Sequence, residues 1–245
     1  MARRNRVRPM ADLQGMPRDR LAEMAEAGAE IVECYRLLEK GGGNVVGDLL
    51  RGHGEFYEWD HYPPGDVYDP ETHCQYYYHA HPVDLRGGEH GHFHTFLRPK
   101  GMPAELAPAP LSDYTPPDGD NDALSHLIAI SMDKYGKPIR LFTTNRWVTG
   151  EVWYTADDVI RMLDRFHMDL AYPSLVVNIW VTAMLRLFRP EIEELLKARD
   201  VQVAEWQAKK TNENAYEDRD LEITSIADID VNAQIRRVDA ALRSA

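Results

Sequence analysis

The chain has 245 residues, 44% hydrophobic and 28% charged, the balance of a globular protein; this excludes a disordered chain, a collagen-like fibre and a coiled-coil rod. Lys and Arg number 28 against 40 Asp and Glu, and a net charge of −12 argues against a general nucleic-acid coat, because phosphate backbones are held by cations. Cys34 and Cys74 are the only cysteines, so no disulfide framework exists and the reducing cytosol is the default compartment.

Residues 1–16 open on Arg3, Arg4, Arg6 and Arg8 with no apolar run behind them. A secretion signal needs such a run, so the segment reads as a disordered basic tail, with a tether to acidic lipid or RNA as the alternative. Pro17 opens a helix at the permitted first-turn position, and Gly41-Gly42-Gly43 closes it. Leu21, Met24, Gly28, Ile31, Val32, Tyr35 and Leu38 form its predicted core face. A short helix is expected over 44–51. From Gly52 to Arg98, aromatics, histidines, Gly and Pro favour strands and turns, and the prolines of 99–122 mark a loop. Strands are predicted near 73–82, 89–98, 124–133 and 138–148, the last two joined by the turn Lys134-Tyr135-Gly136-Lys137.

Helices follow. Thr155 with Asp158 resembles a capping box ahead of the stripe Val159, Met162, Leu163 and Phe166. Pro173 starts a helix that is apolar nearly all round and therefore central; its Asn178, Thr182 and Arg186 leave it short of the ~20 apolar residues of a membrane span. Pro190 starts a third helix with an acidic first turn. After a polar break at 209–214, Val231, Ile235, Val238 and Leu242 define a last amphipathic helix. The expectation is one α+β domain over 17–208, an antiparallel sheet with the N-terminal helix and the C-terminal helices packed on it, then a polar linker and terminal helix over 209–245.

Eight of the 10 histidines, from His53 to His94, fall within 42 residues. The densest part is His73-Cys-Gln-Tyr-Tyr-Tyr-His79-Ala-His81, a Gly87-Gly88 turn, and Glu89-His90-Gly-His92-Phe-His94-Thr-Phe96. Strand side chains alternate, so His73, Gln75, Tyr77, His79 and His81 share one face of the first strand, and His90, His92, His94, Phe96 and Arg98 share one face of the second. An even-length hairpin loop pairs 79 with 92 and 81 with 90 and converges the imidazoles; an odd one separates them. Clustered imidazoles are zinc ligands, or iron ligands in company with a carboxylate. They also occur as plain polar or backbone-bonded groups.

The stretch Gly88-Glu-His-Gly-His-Phe-His-Thr-Phe-Leu-Arg98 resembles an uncharacterised bacterial protein family, a likeness that runs over most of the chain and brings no established activity. Within it, His90-Gly-His92-Phe-His94-Thr-Phe96 is similar to the motif of the histidine triad family. That likeness implies a nucleotide hydrolase or transferase with His92 as nucleophile.

The segment 55–69 mixes Glu55, Glu58, Asp60, His61, Asp66 and Asp69 with aromatics, a set that suits a metal shell, general bases or a solvated loop. His126 shares a face with Ile128, Ile130 and Met132 and reads as a core residue, or as a ligand if its strand lies beside the hairpin, and His167 reads as the cation at a helix end. No phosphate loop, dinucleotide fingerprint, nucleophile elbow or His-Glu-x-x-His motif is present. The functional reading is a zinc- or iron-dependent enzyme acting on a small-molecule ligand, with no nucleic-acid partner and no membrane span. His79, His81, His90, His92 and His94 are its metal candidates, and His92 and Glu89 its catalytic candidates. Arg98, Arg146, Tyr77 and Trp59 are its substrate-binding candidates, in a pocket between the histidine face, segment 55–69 and part of loop 99–122. A non-catalytic ligand-binding or assembly protein is the alternative.

Overall fold

The helices start and stop at the punctuation in the sequence. The computed structural model describes residues 11–82, 87–211 and 213–245. Helix α1 (Arg18–Lys40) follows Pro17 and ends where the Gly41 N–H bonds back to the Leu37 and Leu38 carbonyls. It buries Leu21, Met24, Ala27, Gly28, Ile31, Cys34 and Leu38. Val32, expected on that face, is 51% exposed; it lies about 100° round the helix from Ile31, off the stripe. Asn44 caps α2 (Val45–Leu49) by accepting the Gly47 N–H.

Among the described residues six strands form one antiparallel meander in chain order: β1 (Tyr62–Tyr68), β2 (Cys74–His79), β3 (Gly91–Leu97), β4 (Ser125–Met132), β5 (Pro138–Thr144) and β6 (Ile223–Asp228). The four expected strands are present. β5 stops at Thr144, short of the expected 148, because Asn145 caps a short helix, α3 (Arg146–Thr149), which left-handed Gly150 closes. Both edge strands were unexpected. β1 carries Pro63, Pro64 and Gly65, breakers that a sheet tolerates at its edge. β6 lies inside the segment read as linker and terminal helix, and its pairing with β5 ties 209–245 to the sheet.

The remaining helices cover one face. Thr155 caps α4 (Ala156–Leu163), Ser174 caps α5 (Leu175–Leu187), and Asp230 caps α7 (Val231–Ser244); α6 (Arg189–Lys209) carries Pro190 in its first turn. Tyr76, Tyr78, Phe93, Ile130, Met132 and Leu141 point towards this layer and join its core. Trp180 of α5, wholly buried, meets Phe93 at 5.5 Å between ring centroids, and the Tyr76 hydroxyl donates to Asn178 Oδ1 at 2.5 Å. Among the described residues no helix is long and apolar enough to cross a membrane. Most of the basic tail, residues 1–10, lies outside the described residues; beyond it, Leu13 is buried and the Ala11 N–H reaches Glu191 Oε1. The opposite face of the sheet carries the histidines.

Candidate functional site

The β2–β3 register pairs His79 with His92, Tyr77 with His94 and Gln75 with Phe96. Two-residue alternation then sends all six to the face away from the helices. His79 Nε2 lies 2.7 Å from His92 Nε2. His81, just past β2, stands with its ring centroid 4.9 Å from His79 and 5.2 Å from His92. One nitrogen from each of His79, His81 and His92 falls within 4.8 Å of the others, a group able to hold a metal ion. His92 is fully buried while His79 and His81 are half-buried, so the triad is closed beneath and open above.

Glu89 stands behind His92. Its Oε1 lies 2.7 Å from His92 Nδ1, and its Oε2 accepts the Ser131 hydroxyl. A carboxylate at Nδ1 keeps the imidazole proton there and turns the Nε2 lone pair towards His79. His90 does not join the triad. β3 begins one residue after it, and its Nδ1 meets the Tyr78 hydroxyl at 2.7 Å while Phe56 stacks on its ring at 5.5 Å. Burial lowers its pKa. Gly91 makes this possible: a Cβ there would lie 2.5 Å from both the His79 carbonyl oxygen and the Tyr78 hydroxyl. The three alternating histidines that carry the likeness to the histidine triad family therefore do not share a face.

His94 is beside the triad, 4.7 Å from His92 between ring centroids, but its Nδ1 is turned to His126 Nε2 at 3.0 Å. His126 was expected among the isoleucines. A bulge between Thr95 and Phe96 of β3, opposite Ile128 and His126, adds a residue to β4 and turns His126 to the histidine face. Burial, then the nearby Arg199 charge, pushes its pKa down to about 3, so it stays neutral. Its backbone N–H donates to Glu151 Oε2 at 2.8 Å, and burial pushes the Glu151 carboxyl up to about 7 against the pull of Arg199. Arg199 itself lies 4.0 Å over the Trp153 ring and bonds Asp200.

Of the substrate-binding candidates, two adjoin the triad. The edge of the Trp59 ring meets His81 at 4.3 Å between centroids, and the Trp59 backbone N–H donates to the Ala80 carbonyl. Tyr77 lies 5.5 Å from His79 and carries His61 stacked on it at 3.6 Å. Arg98 is further along the face, bonded to Gln75 and to the Asn121 carbonyl. Arg146 is elsewhere, paired with Asp113 and Glu217 in a separate cleft of about 370 Å³ that Trp147 and Trp153 also line. A cavity of about 620 Å³ lies on the outer side of His61, with Glu55, Tyr57, Asp60 and Tyr62 in its lining and none of the triad histidines, so the expected pocket against the histidine face is not this one. None of residues 99–122 lines it; that loop runs past Arg98 and along Trp153, whose carbonyl accepts the Ala109 N–H.

Sequence reasoning gives Ser131 no role and places His126 in the core unless its strand lies beside the hairpin, which it does. The pairing of β3 with β4 brings both to the site, and only Ser131, opposite His92 in register, follows from alternation.

Residues 25–229 match DUF6969, a domain of unknown function. No curated protein and no solved structure matches the chain.

Proposed function

The chain belongs to the DUF6969 family, and we propose that this member is a metal-dependent enzyme acting on a small molecule, centred on His79, His81 and His92. The observation that carries this reading is the Glu89–His92 contact. A carboxylate at 2.7 Å from Nδ1, itself held by Ser131, is the outer partner that metal-ligating imidazoles have, and it aims Nε2 at a neighbouring imidazole nitrogen 2.7 Å away. Three imidazoles fit zinc at about 2.0–2.1 Å, or iron, and leave a coordination position open, as catalytic zinc sites do and closed structural ones do not. A cation held there supplies Lewis-acid activation of water or of an oxygen-bearing substrate.

The chain's own residues have separate tasks in this reading. Glu89 positions His92 instead of touching substrate. Trp59 and Tyr77 wall the open side, and the buried His94–His126 pair excludes water beneath. Arg146, in its own cleft, has no part. The test is metal content after equilibrium dialysis against zinc or iron(II). One equivalent per chain is expected, lost in His79→Ala and His92→Ala with helix content unchanged. A wild-type chain that retains no metal, or variants that retain as much, would refute the reading in favour of a non-catalytic binding protein.

A further inference from the structure

A second imidazole–carboxylate pair stands in the wall of the same site. His61 Nδ1 lies 3.0 Å from Asp66 Oδ1, and the other Asp66 oxygen accepts Gln75 Nε2 at 2.7 Å. Gln75 Oε1 in turn accepts Arg98 Nε at 2.7 Å, and the Arg98 guanidinium donates to the Asn121 carbonyl. The carboxylate is thus held from behind by a chain of bonds rooted at the far end of β3. The His61 ring lies flat on Tyr77, 3.6 Å between centroids and 10° from parallel, with its centroid 5.7 Å from that of His79.

The backbone adds an independent sign. Among the described residues, only Trp59, Asp66 and His73 combine a side chain with positive φ, at 74°, 62° and 61°. Left-handed backbone is unfavourable for residues with a Cβ and persists where surroundings over-determine it, commonly at functional sites. Asp66 adopts it inside the irregularity of β1 between Tyr62 and Val67, and so its carboxylate reaches His61 and Gln75 together.

An acceptor at Nδ1 keeps the His61 proton on that nitrogen and leaves Nε2 bare. His61 lines the cavity of about 620 Å³, its side chain 42% exposed. Glu55 and Asp60 share that lining, and no Lys or Arg does, so it suits an uncharged or cationic substrate and not an anionic one.

We propose that His61 is a catalytic residue, the proton acceptor of the site, with Asp66 as its positioning residue, in the hydrolysis of an uncharged or cationic substrate; this rests on the metal-dependent reading of His79, His81 and His92. On an ester as probe, Nε2 takes one proton from water as the water oxygen bonds to the carbonyl carbon. It returns that proton to the leaving oxygen as the carbon–oxygen bond breaks, so that ester and water become acid and alcohol with no redox partner.

Two measurements test it. Nitrogen-15 correlation spectra of the histidine rings should show His61 as the Nδ1–H form, moving to Nε2–H in Asp66→Asn, whose amide donates to Nδ1. Zinc-loaded protein should hydrolyse 4-nitrophenyl acetate, with kcat/KM lower by about 100-fold in His61→Ala at unchanged zinc content and partly regained with added imidazole. Asp66→Asn should lower kcat and leave KM unchanged. A wild-type Nε2–H form, a His61→Ala rate equal to wild type, or zinc-loaded protein no faster than zinc-free protein would each overturn the proposal while the metal reading stands. A chain that takes up neither zinc nor iron(II) overturns both, and dialysis reads that outcome separately.

Discussion

Replacing Gly91 by Ala tests how tightly the site is built. The new Cβ would lie 2.5 Å from the His79 carbonyl oxygen, 2.5 Å from the Tyr78 hydroxyl and 2.6 Å from its Cζ. The carbonyl belongs to the strand that carries His79, and the Tyr78 ring is fully buried, so neither gives way easily. Overpacking of this kind costs about 1–3 kcal/mol. Driving the Tyr78 hydroxyl off His90 Nδ1 leaves a buried hydroxyl without its 2.7 Å partner, a further ~1–3 kcal/mol. A combined loss of about 4 kcal/mol corresponds to a fall in Tm of roughly 8–16 °C for a chain this long. Thermal unfolding followed by circular dichroism measures it. Gly47→Ala is the control, because its Cβ would meet Asn44 at an ordinary 3.5 Å inside α2; it should be neutral or mildly stabilising, by up to about 1 kcal/mol. A Gly91→Ala protein melting within about 2 °C of wild type would refute the packing argument.

Glu89→Gln should weaken zinc binding by about 10–100-fold while the fold persists, read by competition with a chromophoric chelator; unchanged affinity would remove Glu89 from the site. Glu151 keeps its proton in the native protein up to about pH 7, whereas an unperturbed carboxyl releases it near 4.5, so the native state holds a proton that the unfolded chain has lost in between. Its contribution is fully present below pH 4.5 and is lost as pH rises through 7. Wild type should therefore lose about 3 kcal/mol relative to Glu151→Gln over that window in urea titrations, and parallel curves would count against it. Tyr76→Phe removes the donor to Asn178 Oδ1 in the buried layer between sheet and α5 and should cost about 1–3 kcal/mol in the same assay.

Much of this arrangement was legible in the sequence because it depends on periods. Alternation along 73–82 and 89–98 with an even loop leads to the His79–His92 pairing, and the helix-spaced stripes lead to α1, α4 and α7. What was not legible depends on interruptions of a period. His90 leaves the face because β3 starts at Gly91, and His126 arrives because of a bulge. The His61–Asp66 contact needs a left-handed residue in a proline-bearing edge strand, where local propensity argues against any strand. β6 was missed because polar Thr224 and Ser225 sit on a short edge, where Ser225 donates to the Leu195 carbonyl of α6.

The bulge opposite Thr95 and Phe96 makes β4 a strand with two phases. C-terminal to it, even-numbered Ile128, Ile130 and Met132 face the helices; N-terminal to it, even-numbered His126 faces the opposite way. The extra residue acts as a phase shifter, so at this point chain length carries information that side-chain identity does not. Closing the bulge with Leu127 retained would set Leu127 opposite Phe96 and drive the His126 imidazole into the layer that holds Trp180, whereas deleting Leu127 would leave His126 opposite Phe96 on the histidine face. The bulge itself, and not the identity of the residue that fills it, therefore decides which layer His126 enters.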